Sequence, residues 1–205
     1  MVGLRERKAA QTRARILEVA LDAFEAKGYE ATTMEEIAEG AEVGASTLYR
    51  YFPTKEALLV EPLGFKGTLA EALRSRPTEE ALGISLGHAI QALFDAPRPD
   101  RDRLQRIGAV IDANTGPRLH LHELLWQEAA NLRDAIAERT GRDTDDVYCE
   151  VTAHLTVAVL RAIAERTGKP SDPGSSPDRA AAIAADLLAR LHDDPPELPV
   201  FGRPD

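Results

Sequence analysis

Residues Thr47 to Leu58 read TLYRYFPTKEAL, three aromatic rings and an arginine within six residues, closed by a proline, in a chain that is only 5% aromatic. Pro53 disfavours helical geometry at Phe52, so the ring-rich segment must end there as a short helix over Ala45–Tyr51. Leu48 and Phe52, four residues apart, lie on one face of that helix and can point inward toward Phe24 and Ile37. Thr47, Tyr49, Arg50 and Tyr51 are then left for the outer side and the helix ends. Five of the ten aromatics, Phe24, Tyr29, Tyr49, Tyr51 and Phe52, fall within 29 residues. A unit of about 50 residues needs such bulk to fill a core; a generic aromatic core in a small helical bundle would use the same rings.

The flanking sequence is helical too. Over Thr12–Lys27, Ile16, Leu17, Ala20, Leu21 and Phe24 recur on one helical face, and Gly28 is a natural stop. Thr32 and Thr33 precede Met34-Glu35-Glu36-Ile37-Ala38, where a threonine cap and early glutamates suit a second helix ending near Ala41. Thr54 can cap a fourth, beginning at Lys55. A long helix followed by two short ones joined by a tight turn is the helix-turn-helix arrangement, whose second short helix enters the DNA major groove.

Charge is divided along the chain. The net charge is −9, yet residues 1–15 hold Arg5, Arg7, Lys8, Arg13 and Arg15 against Glu6 alone, while residues 56–205 carry 17 bases and 25 acids. A polyanion is therefore expected at the N-terminal end.

Residues 16–59, ILEVALDAFEAKGYEATTMEEIAEGAEVGASTLYRYFPTKEALL, resemble the DNA-binding domain of the TetR family of bacterial transcriptional regulators. The likeness lies in the G-Y-x-x-T-T segment, the I-A-x-x-A-x-V turn and the T-L-Y-x-Y-F-x-x-K-E-x-L signature. It implies an all-α fold: an N-terminal three-helix DNA-binding domain (1–54), a C-terminal helical ligand-binding and dimerisation domain (55–192) and an irregular tail (193–205). It also implies phosphate contacts from Thr33 and Lys55, a recognition helix displaying Ala45, Ser46, Thr47, Tyr49, Arg50 and Tyr51, and a basic arm containing Arg5, Arg7 and Lys8. Three positions depart from the family pattern: Glu42 stands where glycine is common, Gly44 where serine caps the helix, and Ala45 where a lysine or arginine is frequent. A left-handed Glu42 would cost about 1 kcal/mol. Fewer phosphate contacts on the helix would leave Arg50 to carry much of the binding.

Further helices are expected at about 78–95, 100–114, 117–140, 144–167 and 178–192, with Pro62, Gly64 and Gly67 breaking the fourth. On the last two, Val151, Leu155, Val159, Ile183, Leu187 and Leu188 offer an apolar surface for a twofold copy, as the resemblance implies. Such a homodimer would place two recognition helices about 34 Å apart on a palindromic double-stranded DNA operator. A purely internal bundle would bury the same residues.

The middle helices are expected to enclose a small-molecule effector among Phe94, Leu104, Ile107, Ile111, Leu121, Leu125 and Trp126, with His88, His122 and His154 as polar groups. Plain core is the alternative for each. The segment GPRLHLHELLWQEAANLRDAIAERTGRD is similar to the C-terminal domains of the mycofactocin-system regulator type, which implies a fatty acyl-CoA-like ligand; Arg103, Arg106 and Arg118 are the basic candidates for its phosphates.

Gly83-Ile84-Ser85-Leu86-Gly87 matches G-x-S-x-G, but a nucleophile elbow needs a strand before it, and none is evident. His120 and His122, two residues apart on a helix, diverge by about 200° and do not favour a shared metal. Cys149 has no partner for a disulfide. No enzymatic activity, cofactor, metal or membrane span is expected, and a cytoplasmic location follows. The competing classes are a protein-interaction module with an architectural helix-turn-helix and, third, an esterase.

Overall fold

The computed structural model describes residues 3–64, 66–95, 101–166 and 177–194; among them there is no strand. The helices are α1 (Leu4–Lys27), α2 (Met34–Gly40), α3 (Ala45–Tyr51), α4 (Ala57–Val60) with a 3-10 turn at Glu61–Leu63, α5 (Thr68–Arg74), α6 (Leu82–Asp95), α7 (Arg101–Ala113), α8 (Thr115–Thr140), α9 (Val147–Arg166) and α10 (Pro177–Asp193).

α1 begins eight residues before the expected start at Thr12. Its first two turns are polar and therefore invisible to periodicity, but they are rich in helix formers, and Glu6 accepts from the Gly3 amide at 2.7 Å. From Ile16 onward the expected face is buried, with Ile16, Ala20 and Leu21 fully so. α2 opens on a reciprocal capping box: the Glu36 amide donates to Thr33 Oγ1 at 3.2 Å, and the Thr33 amide donates to Glu36 Oε2 at 2.8 Å. Gly40 lets α2 lie close on α1, since a Cβ there would stand 2.8 Å from Val19 Cγ1.

The turn between α2 and α3 is closed by the Val43 amide donating to Ala38 O at 3.0 Å. It forces Glu42 to φ 53, and Glu42 is the one non-glycine with positive φ among the described residues. Its salt bridge with Arg15, 2.8 Å between exposed groups, offsets little of that strain. Glu42→Gly is expected to raise stability by up to about 1 kcal/mol, read as a higher thermal midpoint; an unchanged or lower midpoint would show that the turn carries no such strain.

Two compact units emerge from the packing: Met1–Thr68 with Pro97–Glu128, and Leu69–Ala96 with Ala129–Asp205. This differs from the division at residue 54. One long and two short helices are too few to close a core alone, and the first unit completes its core with Leu58, Leu59 and Val60 of α4 and Ile107, Val110 and Ile111 of α7. Ion pairs reinforce this: Arg106 of α7 is held by Glu18, Asp22 and Glu25 of α1, and Arg103 by Glu18.

In the second unit, Arg139 of α8 ties down the segment before α6, donating to Glu80 O at 2.8 Å and Ser85 Oγ at 2.9 Å. α8 ends as expected at Gly141, φ 68, with the Arg142 amide donating to Ala137 O. By length and composition α9 could cross a membrane, with a mean hydropathy of 1.4. Here one of its faces is buried, through Cys149, Ala153, Val157, Leu160 and Ile163. The expected stop at Gly168 and the tail from residue 195 lie outside the described residues.

Candidate nucleic-acid interface

α3 is fixed from beneath and open above. Leu48 and Phe52 are fully buried, while Ala45, Ser46, Tyr49 and Arg50 are exposed and Thr47 is half-buried. Tyr51 differs from its outward assignment: its half-buried ring packs on the core, and the Arg50 guanidinium lies 5.4 Å from the ring centroid. The open side of α3 therefore presents two small residues, a phenol and a guanidinium. Hydroxyls and a guanidinium are the groups that reach base edges and phosphate oxygens.

Several of these groups already have internal partners. The Tyr49 hydroxyl donates to Glu35 Oε1 at 3.1 Å, which aims it along the surface; that bond raises the phenol's proton affinity, with burial and the Glu35 charge adding to it. Thr33, expected to meet phosphate, spends both its amide and its hydroxyl on Glu36, at 2.8 and 3.0 Å. A carboxylate of the chain itself thus takes both of the donors expected to meet phosphate. Lys27 pairs with the same carboxylate and is the main reason it is pulled down to about 2, ahead of the Thr33 amide and hydroxyl.

A carboxyl whose folded-state value lies below its unfolded value of 4.5 contributes stability that is complete above about pH 4.5 and lost as pH falls toward about 2. Acid should therefore loosen the start of α2, and Glu36→Gln should flatten stability over that window. An unchanged acid limb in the variant would count against the assignment.

Lys55 is placed differently from its expected phosphate role. Its ammonium donates to Tyr29 O at 2.8 Å and Thr32 O at 3.1 Å and lies 4.3 Å from the centre of the Tyr29 ring. It closes the turn between α1 and α2. Periodicity could not reveal this, because the partners are backbone carbonyls 23 and 26 residues away. Beside it, the Tyr29 hydroxyl donates to Glu56 Oε1 at 2.7 Å. Although burial works against its charge, Glu56 is held below the usual carboxylate range by hydrogen bonds from Tyr29, its own backbone and Thr54, helped by His120.

In the basic arm, Arg5, Arg7 and Lys8 are exposed on the first turns of α1. Arg15 and Arg13 are engaged instead, Arg15 with Glu42 and Arg13 with Glu61, and Arg13 also lies over the Phe52 ring.

The effector candidates are divided between the two units. Ile107 and Ile111 are sunk in the core of the first unit. Leu104, Leu121 and Leu125 are half-buried, Trp126 is 57% exposed, and the Phe94 side chain lies outside the described residues. Trp126 Nε1 donates to His122 Nε2 at 3.0 Å, and His88 sits 3.2 Å from Glu80. His154 is half-buried on α9 in the second unit. Of the proposed CoA-phosphate arginines, Arg103 and Arg106 are committed to α1, and Arg118 lies 3.4 Å from the Thr115 hydroxyl. A cavity beside α4 is lined by none of the ten expected residues.

The nucleophile-elbow match fails on geometry. Ser85 is buried inside α6 with no strand before it among the described residues, and its hydroxyl donates to Glu80 at 2.7 Å. Arg76 first, and Ser85 second, hold that carboxyl at about 2, too acidic to take a serine proton. Among the described residues no three His, Cys, Asp or Glu side chains are placed to share a metal ion.

Residues 16–61 match the family model described as bacterial regulatory proteins, tetR family. The chain is 32% identical over 168 residues to the HTH-type transcriptional regulator TcmR of Streptomyces glaucescens, covering 78% of this chain and 73% of that protein. It is 50% identical over 54 residues to the HTH-type transcriptional repressor KstR of Mycolicibacterium smegmatis, 26% of each chain. Among solved structures, native NalD of Pseudomonas aeruginosa, the secondary repressor of the MexAB-OprM multidrug efflux pump, superposes with a TM-score of 0.52 at 22% identity, covering 89% of this chain and 96% of that one. With a matching family model over the reading head and a relative that aligns across most of both chains, the chain belongs to the TetR family of bacterial transcriptional regulators.

Proposed function

We propose that this regulator is a repressor that binds a palindromic operator as a homodimer, in the cytoplasm, and responds to a small lipophilic effector. The observation that carries the reading is α3, with Leu48 and Phe52 buried beneath and Ala45, Ser46, Tyr49 and Arg50 open above. Such a helix can enter a groove about 12 Å wide without the core moving. Repression is supported by likeness to relatives named as repressors. DNase footprinting of the region upstream of its own gene is the test. Protection of two half-sites about one helical turn apart is expected; uniform, sequence-independent retention of DNA would overturn it.

Dimerisation is supported by the second unit. Val147, Tyr148, Val151 and Leu155 of α9 are 68%, 46%, 40% and 46% exposed, and Val159, Ile183, Leu187 and Leu188 are half-buried in the same unit. An apolar stripe of that length left in water is a protein contact face. Leu155→Asp should convert the dimer to monomer in sedimentation equilibrium, with operator affinity falling alongside; a wild-type chain that sediments as a monomer would remove the dimer from the account.

A further inference from the structure

The first unit contains a cavity of about 490 Å³ beside α4, within the roughly 300–1,000 Å³ range of small-molecule sites. Its walls combine two chemistries. Ala57 and Val60 of α4, both buried, and half-buried Leu124 of α8 supply an aliphatic surface. Arg13, Glu61, Lys66 and His120 line it as well. Arg13 and Glu61 neutralise each other, and Arg13 is further fixed over Phe52, 5.0 Å from its centroid. The Lys66 ammonium has no hydrogen-bond or ion-pair partner among the described residues, in a chain whose net charge is −9. His120, on α8, is shared with Glu56, which the Tyr29 hydroxyl already holds.

We infer that this cavity binds a small amphipathic anion, its carboxylate or phosphate head at Lys66 and His120 and its aliphatic body against Ala57, Val60 and Leu124. A cation would meet the Lys66 ammonium and be repelled, while Arg13 is already neutralised by Glu61; a neutral lipophile would gain nothing from Lys66. A polyphosphate would need more than the single unpaired ammonium the walls provide. Pro53 and Thr54 also line the cavity, and they form the corner by which α3 passes into α4. An occupant there touches the support of the reading helix directly. Binding itself stands independently of the repressor reading; only the consequence for DNA rests on it.

Isothermal titration of the full-length protein with octanoate, octyl phosphate and 1-octanol tests the site. Saturable binding of one octanoate or octyl phosphate per chain is expected, with 1-octanol at least tenfold weaker; the tighter anion identifies the head group. Lys66→Glu, at an exposed position that should fold normally, should weaken the anion at least tenfold, Lys66→Arg should retain it, and Arg161→Glu in the second unit should leave it within twofold. Absence of saturable binding by both anions, equal binding of 1-octanol, or unchanged affinity in Lys66→Glu would overturn the inference. Footprinting in parallel separates the two claims. Anion binding without operator protection would sink the repressor and leave the site standing, whereas operator protection without anion binding would do the reverse.

Discussion

Phe52→Ala is expected to destabilise the first unit by about 3–5 kcal/mol. The ring is fully buried among Leu48, Ile37 and Leu58, and the Arg13 guanidinium lies over its face. Truncation removes both the apolar burial and the surface on which Arg13 lies, and the surrounding helices cannot collapse onto the void without moving α3. Because a domain of this size has only about 5–15 kcal/mol of stability in total, the loss approaches the whole margin. Urea denaturation followed by far-ultraviolet circular dichroism reads it directly. Tyr49→Ala, three residues earlier and exposed, should stay within about 0.5 kcal/mol. If the two variants unfolded at the same urea concentration, Phe52 would not hold α3 in place.

The contrast between those neighbours shows what a linear pattern can reveal. The limits of α3, the Thr33 cap of α2 and the stop at Gly141 are legible because each depends on residues within a few positions of one another. Glu42 is legible as a strained turn for the same reason. What stays hidden depends on distant partners. The stripe Ile107, Val110 and Ile111 looks identical on a helix wheel whether it lines a cavity or completes the core against α1 and α4, and it does the latter. The charge of Lys55 suggests a phosphate, but backbone carbonyls more than 20 residues away capture it. α5 escapes the pattern because Gly64 and Gly67, both at positive φ, read as a simple break rather than as the bend between two helices.

The self-pairing of the reading head has an energetic meaning. Glu35, Glu36 and Glu42 each hold a group expected on the DNA side, namely Tyr49, Thr33 and Arg15. These pairings fix side-chain directions in the free protein, which lowers the ordering cost of binding, but each acid must give way or tolerate a nearby phosphate. Because all three pairs are exposed, they are screened by salt and worth little individually. The result favours directional contacts over bulk charge.

Arg50→Ala should therefore lower operator affinity by about 1–3 kcal/mol, roughly fivefold to more than a hundredfold. Arg50 is the one cation on α3, exposed and lying on the Tyr51 ring, where stacking pre-orients its flat donor fork. With Gly44 and Ala45 supplying neither a side-chain cap nor a charge, no neighbour on the helix can replace it. Arg5, Arg7 and Lys8 should behave otherwise. On the first turns of α1 their removal should weaken specific and non-specific DNA alike and reduce the salt slope by about one for each phosphate no longer neutralised. Fluorescence anisotropy across a salt series, on operator and on scrambled duplexes, distinguishes these behaviours. A loss confined to the operator with an unchanged salt slope places Arg50 on a base edge; an equal loss on both duplexes with a shallower slope places it on phosphate. Unchanged operator affinity in Arg50→Ala would remove α3 from the groove, because no other side chain on its open face carries a charge.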